Sequence, residues 1–266
     1  MRANVPDYDL KRARTLNEAL TLRAEGAQPI AGGTDLMVLF QAGKLTSRRF
    51  VDISRLPELK AITTGSHKIT IGALATYTEI QRHTVLQTEF NLLCQAAGWT
   101  GSIANQNRGT LGGNIANASP AADSLPPLLI YEASLILVSH RGTRTVDYNG
   151  FHTGYKQTVM DPDELIQAIE LPRPQAPRKE YIRKVGTRRA QAISKICFAG
   201  LKQENEVRIA IGSVAPIPIR CPRTERSLDI NTLLSEMAPI DDIRSTARYR
   251  SRVAANLLEE FLRAIA

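Results

Sequence analysis

The stretch "QPIAGGTDLM" (28–37) sets two adjacent glycines between a short apolar run and a segment with helical spacing. "QPIA" (28–31) is brief and strand-like, and Asp35 opens "DLMVLFQAGK" (35–44), in which Leu36, Leu39 and Phe40 share one helical face. A strand–Gly-Gly–helix junction is where backbone closes on a phosphate, because glycine has no Cβ to hold a ligand away and N–H groups at a helix start point outward. The same pair of glycines also suits a tight turn that needs positive φ. A second glycine loop separates the two readings, and "NRGTLGGNIANASPAADSLPPLL" (107–129) supplies one. It sets Gly112 and Gly113 side by side, followed by small polar residues and Pro126-Pro127. Such a segment is expected to bury little apolar area, so something other than a core must order it. Thr110, Asn114, Asn117 and Asp123 offer side-chain donors and acceptors there. One helix-end anion contact contributes about 0.3–1 kcal/mol, against about 8 kcal/mol for micromolar retention of a ligand. Two loops and an apolar slot are therefore required together.

Outward from these loops, the chain changes character twice. Thr15 and Glu18 predict a capping box at the head of "TLNEALTLRAEG" (15–26), with Gly26 as its stop, and "RRFVDIS" (48–54) reads as a strand. Residues 1–55 thus alternate helix and strand as a small α/β layer does. "LKAITTGSHKITIGA" (59–73) and "SLILVSHRGTRTVDY" (134–148) read as hairpins, Thr76 with Glu79 as a second capping box, "EFNLLCQAAG" (89–98) as an amphipathic helix ending at Gly98, and "DELIQAIELP" (163–172) as a strand. "LPRPQAPRK" (171–179) carries Pro172, Pro174 and Pro177 and marks a boundary. Beyond it, "EYIRKVG", "ISKICFAGLK" and "VRIAIGSVAP" read as strands of one sheet, and "RYRSRVAANLLEEFLRAI" (248–265) as a closing helix. The expected segments are 1–55, 56–172 and 173–266.

Composition narrows the function classes. With 266 residues, 43% hydrophobic and 23% charged, the chain reads as a folded protein. No apolar run approaches the roughly 18–20 residues that cross a membrane, and "MRANVPDYDLKRART" (1–15) has no apolar signal region, so a cytoplasmic location is expected. Cys94, Cys197 and Cys221 are scattered, and His67, His83, His140 and His152 show no metal-ligand spacing, so no metal site is expected on this chain. The net charge of +8 is spread over "SRR" (47–49), "RKVGTRR" (183–189), "RCPRTER" (220–226) and "RYRSR" (248–252) without a nucleic-acid motif. Solvated faces and a docking surface for an acidic partner are expected instead.

Together, the two glycine loops resemble the FAD-binding medium subunits of the molybdenum hydroxylases, nearest to the xanthine dehydrogenase branch. The resemblance continues through "GFHTGYKQTVMDPDELIQAIELP" (150–172), "YIRKVGTRRAQAISK" (181–195) and "IGSVAPIPIR" (211–220), and so covers nearly the whole chain. Neither loop is a G-x-G-x-x-G after a strand, so a Rossmann site is not implied. What the resemblance implies is an α+β chain of the PCMH/vanillyl-alcohol-oxidase type. In that fold two α/β subdomains surround FAD, and a small C-terminal antiparallel-sheet domain with helices follows. By the same resemblance, Gln28, Pro29, Ile30, Ala31, Gly32, Gly33, Thr34 and Asp35 form the FAD diphosphate cradle. Thr110, Leu111, Gly112, Gly113, Asn114, Asn117 and Asp123 form a second wall, and Leu165 or Ile166 packs apolar surface against the cofactor. Lys184 is the candidate catalytic residue, a positive charge near the flavin that favours its anionic reduced form.

The implied activity is electron transfer from partner iron–sulfur clusters through FAD to NAD. The molybdenum cofactor would sit on a large partner subunit and [2Fe-2S] clusters on a small one, in a heterotrimer. Oxygen or a quinone-like carrier is the alternative acceptor, and a non-catalytic assembly subunit that has lost FAD is the reading from a different class. The glycines at 32, 33, 112 and 113 argue against that last reading. One departure stands out: the family usually carries Ile-Arg-Asn-Arg before the second loop's Gly-Thr. Here Asn105-Gln106-Asn107-Arg108 replaces an apolar residue and a charge with amides, which bears on how this loop meets the flavin edge or a neighbouring subunit.

Overall fold

Thr15 starts the first helix largely as its sequence suggests. Its hydroxyl accepts from the Glu18 N–H at 3.2 Å, but the Glu18 carboxylate accepts from the Arg14 N–H at 2.7 Å, one residue earlier than a closed capping box has it. The computed structural model describes residues 7–266, and the first six residues of the expected 1–55 segment and of the N-terminal stretch lie outside it. Strand β1 (Asp9–Arg12), helix α1 (Leu16–Ala24), β2 (Gln28–Ile30), α2 (Leu36–Gln41) and β3 (Arg49–Asp52) follow in order. The strands form a parallel sheet ordered β1-β3-β2, against which α1 buries Ala19 and Leu20. Helix α2 departs from expectation. None of its residues is buried, and Met37 and Val38 are 50% and 63% exposed. Six residues make less than two turns, too few for the stripe that anchors an amphipathic helix, and β2 lies at the sheet edge.

The second sheet is antiparallel. β4 (Ile62–Thr64) and β5 (Lys68–Gly72) form the expected hairpin, and α3 (Tyr77–Arg82) begins at Thr76 with both halves of the capping box in place. Then come α4 (Thr84–Glu89), α5 (Asn91–Trp99), α6 (Ile103–Gln106), α7 (Leu111–Asn117) and α8 (Leu125–Ile130). Helix α5 runs through Gly98 instead of stopping there, and the Gly98 carbonyl accepts from Gln106 Nε2 at 2.9 Å. β6 (Ser134–Ser139) and β7 (Gly142–Asp147) make the next hairpin, and β8 (His152–Gly154) with β9 (Gln157–Thr158) a small one of their own. β10 (Leu165–Pro172) sits at the centre of the five-stranded order β4-β5-β10-β6-β7.

Residues 107–129 correct the expectation most sharply. They contain α7 and most of α8, and Leu111, Ile115, Leu125 and Leu128 are fully buried in the largest core. The segment is ordered by its own apolar residues, because α7 packs on β10 of this sheet and α8 on the sheet that follows. Each such Leu or Ile contributes about 1.5–3 kcal/mol.

The third sheet comprises β11 (Arg178–Val185), β12 (Ile196–Gln203), β13 (Glu206–Gly212) and β14 (Ile219–Arg220), antiparallel in sequence order. Helices α9 (Pro222–Ser227), α10 (Ile230–Glu236) and α11 (Ala247–Ile265) complete the chain. Alternation along β12 divides its side chains: Ile196 and Phe198 join Phe261 of α11, whereas Cys197, Ala199 and Leu201 join the core of the second sheet. The proline-rich boundary near residue 172 therefore separates two sheets that share one core. Arg250 of "RYRSR" is 1% exposed, donating to the Ser213 carbonyl at 2.6 Å and to Asp242 at 2.7 Å. It ties α11 to the strand ends and is no part of a solvated face.

Candidate functional site

The two glycine loops abut. A Cβ placed on Gly32 would fall 1.8 Å from the Arg108 carbonyl oxygen, and Arg108 Nε lies 3.4 Å from the Gly32 carbonyl that it faces as donor. Gly33 has φ +74°, so both requirements anticipated for this pair, close approach and left-handed backbone, hold at neighbouring positions. Beyond Ile30 the chain leaves the sheet. Among the described residues, the N–H groups of Gly32, Gly33, Thr34, Asp35 and Leu36 have no hydrogen-bond partner, and the first N–H to be satisfied is that of Met37, on the Gly33 carbonyl at 2.9 Å. Asp35 stands at the helix start without capping it. A run of bare donors at the end of a strand carries partial positive charge toward solvent.

The second loop is built differently. The Leu111 and Gly112 N–H groups donate to the Ala75 and Ala73 carbonyls at 3.0 and 2.9 Å, Gly113 to Thr110 Oγ1 at 3.1 Å, and Asn114 to the Thr110 carbonyl at 3.0 Å. A Cβ on Gly112 would stand 2.5 Å from that of Ala73, so this glycine serves the packing of α7 on the end of β5. The side chains expected to be free are also engaged, each through an acceptor. Asn114 Oδ1 accepts from Ser124 Oγ at 2.7 Å, and Asn117 Oδ1 accepts from Lys156 Nζ. What remains to each is a donor: the amide groups of Asn114 and Asn117, and the Thr110 hydroxyl hydrogen.

Asp123 and Lys184 were expected at separate places in the site, and the structure joins them. Lys184 Nζ donates to Asp123 Oδ2 at 2.6 Å and to the Trp99 carbonyl at 3.1 Å, Ser194 Oγ donates to the other carboxylate oxygen, and both charged side chains are at most 10% exposed. Burial pushes the Asp123 carboxyl up, against the pull of the Lys184 ammonium. Leu165 and Ile166 point to opposite faces of β10. Ile166 shares a core with Leu111 and Ile115, whereas Leu165 lies in the core of the first sheet with Ala19 and is not brought to the second loop. Of the amides at 105–107, Gln106 faces the protein, 9% exposed, accepting from Gln81 and donating to Gly98; Asn105 and Asn107 are exposed, and Asn107 accepts from Thr78 Oγ1 at 2.6 Å. They stitch α6 to α3 and α5 where a longer apolar or charged side chain would need another partner.

Sequence reasoning missed Ser194, which lacks any motif, and the β8–β9 hairpin, signalled only by Gly154 ahead of "YKQ". That hairpin rests on α7, with buried His152 Nε2 2.9 Å from the Ile115 carbonyl. Burial lowers the His152 pKa from its ordinary value. Of the basic segments, "RCPRTER" is partly spent internally, since Arg220 pairs with Glu225 and Arg223 with Glu236.

Residues 6–174 match the family described as the FAD binding domain in molybdopterin dehydrogenase. The chain is 34% identical to the xanthine dehydrogenase FAD-binding subunit of Escherichia coli O157:H7, over 94% of this chain and 93% of that protein. It is 28% identical to the glyceraldehyde dehydrogenase medium chain of Sulfolobus acidocaldarius, over 98% and 99%. In fold it is similar to a chain of the carbon monoxide dehydrogenase of Hydrogenophaga pseudoflava, with a TM-score of 0.92 over 99% of this chain and 98% of that one at 24% identity. The mixed helix-and-sheet architecture is accordingly of the PCMH type. By the match over residues 6–174 and the likeness along most of its length, the chain belongs to the FAD-binding subunits of the molybdopterin dehydrogenases, as a flavoprotein subunit of an oxidoreductase.

Proposed function

We propose that this chain is the electron-transfer subunit of a xanthine dehydrogenase-like molybdenum hydroxylase, holding the FAD diphosphate against residues 28–35. The observation that carries the placement is the run of five N–H groups from Gly32 to Leu36 without a partner among the described residues, a set of donors that suits a diphosphate. When bound, FAD supplies the redox chemistry, linking single-electron carriers to a two-electron acceptor. The residues of the chain bind and orient it. Gly32 lets the loops close, the donors left over on Thr110, Asn114 and Asn117 would be available to the same anion, and the Asp123–Lys184 pair stiffens the wall beyond. Residues 1–55 and 56–172 would enclose the cofactor and 173–266 close it from the other side.

Electrons would arrive from [2Fe-2S] clusters on a small partner subunit, after hydroxylation at a molybdenum cofactor on a large one. They would leave to NAD, in a cytoplasmic heterotrimer. The metal centres are assigned to partners because Cys94, Cys197 and Cys221 are each buried and far apart in sequence. Among the described residues no helix is long and apolar enough to cross a membrane. Exposed Arg48, beside Arg49 in "SRR", remains a candidate for partner docking. The test is the flavin released by acid from the purified chain and the acceptor used by the assembled complex. Equimolar FAD, no hydroxylation by the chain alone and NAD⁺ reduction by the complex are expected. Release of FMN only, or no flavin, overturns the cofactor placement, and electron delivery to oxygen or a quinone with NAD⁺ untouched overturns the acceptor.

A further inference from the structure

Lys156 lies in the turn of the β8–β9 hairpin, between Gly154 and Gln157, at φ +58°. Left-handed backbone is unfavourable for a residue with a Cβ, and glycine or asparagine would hold this turn with less strain. Its ammonium donates to Asn117 Oδ1, at the C-terminal end of α7 in the second glycine loop. Among the described residues it has no carboxylate within ion-pair distance, whereas the half-buried cations Arg173, Lys184 and Arg220 each have one. The opposing charge it feels is that of Asp35, at the end of the first loop, which is not within ion-pair distance. The Lys156 side chain thus lies on the second loop and within electrostatic reach of the first, carrying a charge that a neutral amide does not cancel. Although the residue as a whole is exposed, burial around the ammonium lowers its pKa and Asp35 opposes this. An anion seated between the loops would relieve that cost.

We propose that Lys156 is a cofactor-binding residue, the cation that neutralises the FAD diphosphate where the two glycine loops meet. This rests on the placement of the diphosphate against residues 28–35. It adds a third element, the β8–β9 hairpin, to the two loops. The competing role is purely structural: a latch from the hairpin to the C-terminal end of α7, where a cation is favoured by the helix dipole.

The experiment is titration of the full-length, deflavinated chain with FAD, and separately with ADP, which carries the diphosphate without the flavin. Both are measured at low and high salt for wild type, Lys156→Met and Lys156→Arg, alongside thermal melts of the FAD-free proteins. Lys156→Met is expected to raise the Kd for FAD and for ADP about tenfold or more, equivalent to about 1.4 kcal/mol. It should also flatten the salt dependence, since a screened charge pair has been removed. Lys156→Arg should restore most of both. Unchanged Kd values in the methionine variant overturn the proposal, as does a loss of affinity that arginine does not rescue or whose salt dependence stays that of wild type. A lowered melting temperature with unchanged Kd assigns Lys156 to the latch. A wild-type chain that binds neither FAD nor ADP overturns the diphosphate placement itself, which distinguishes the two failures.

Discussion

The two glycine loops look alike in sequence and are opposites in construction. In the first, the backbone is bare: five successive N–H groups lack partners, and the short helix that follows buries nothing. In the second, the backbone donors are consumed by Ala73, Ala75 and Thr110, Leu111 and Ile115 are in the core, and only side-chain donors are left over. In the first pair Gly32 makes room for Arg108 and Gly33 takes up left-handed backbone, whereas in the second Gly112 makes room for Ala73. The difference teaches that a glycine pair reports close approach without saying what approaches. Substitutions in the second loop should lower the stability of the FAD-free protein, and substitutions in the first should lower affinity for FAD.

The largest effect expected is at the far end of the second loop. Lys184→Met strands Asp123 in a buried site, and breaking such a pair costs about 3–5 kcal/mol. A drop in melting temperature of the FAD-free protein is expected, recovered in part by Lys184→Met with Asp123→Asn. A Lys184→Met variant as stable as wild type would show that the second loop is not held from this side. Next in size is Gly112→Ala. The added methyl group meets Ala73 at 2.5 Å with backbone behind it, and overpacking of this kind costs about 1–3 kcal/mol. Its denaturant midpoint should fall, whereas FAD binding measured on the folded fraction should change less.

Gly33→Ala reverses that order. The nearest atom to its new Cβ is Ile30 Cγ2 at 3.8 Å, so space is not the obstacle, but φ +74° costs an L-residue about 1–2 kcal/mol. Of the Gly33 backbone groups only the carbonyl is held, by the Met37 N–H at 2.9 Å, so the loop relaxes at small cost to the fold and the strain is met in binding. FAD titration should show about a tenfold loss with a nearly unchanged melting curve. A melting curve that falls while affinity holds would make the first loop architectural too, and the contrast would collapse.

The smallest effect is acid loosening of the second loop through His152. Burial depresses its folded pKa below the ordinary value of about 6.5, so the unfolded chain binds a proton that the folded chain refuses. This contribution is complete above that value and is lost as pH falls through the folded pKa. The melting temperature of the FAD-free protein should therefore fall between pH 7 and pH 5 by more in wild type than in His152→Gln. Equal falls would remove His152 from the account.

Much of this organisation was readable in the linear pattern, for identifiable reasons. The capping box at Thr76 and Glu79, the hairpin at 62–72 and the closing helix at 247–265 depend on neighbours within a few residues, and each forms as read. Helix α2 misled because Leu36, Leu39 and Phe40 satisfy a helical period but are only partly covered, with Tyr8 against Phe40 at 5.7 Å between ring centroids. Residues 107–129 misled in the other direction, since glycines, prolines and small polar residues disguised Leu111, Ile115, Leu125 and Leu128 as loop. Arg250 read as surface charge because its acceptors, Ser213 and Asp242, are 37 and 8 residues away.

By itself the sequence determined the family, the presence of two glycine loops and the helices and strands whose signals are local, because these rest on residue types at short, regular spacings. Only the tertiary structure decided what each glycine is for. Gly32 faces Arg108, 76 residues on, and Gly112 faces Ala73, 39 residues back. It also decided that Asp123 and Lys184 are partners across 61 residues and that Lys156 meets Asn117 across 39. Contacts between residues so far apart in the chain leave no spacing to read, because the fold sets the distance and the intervening sequence only permits it.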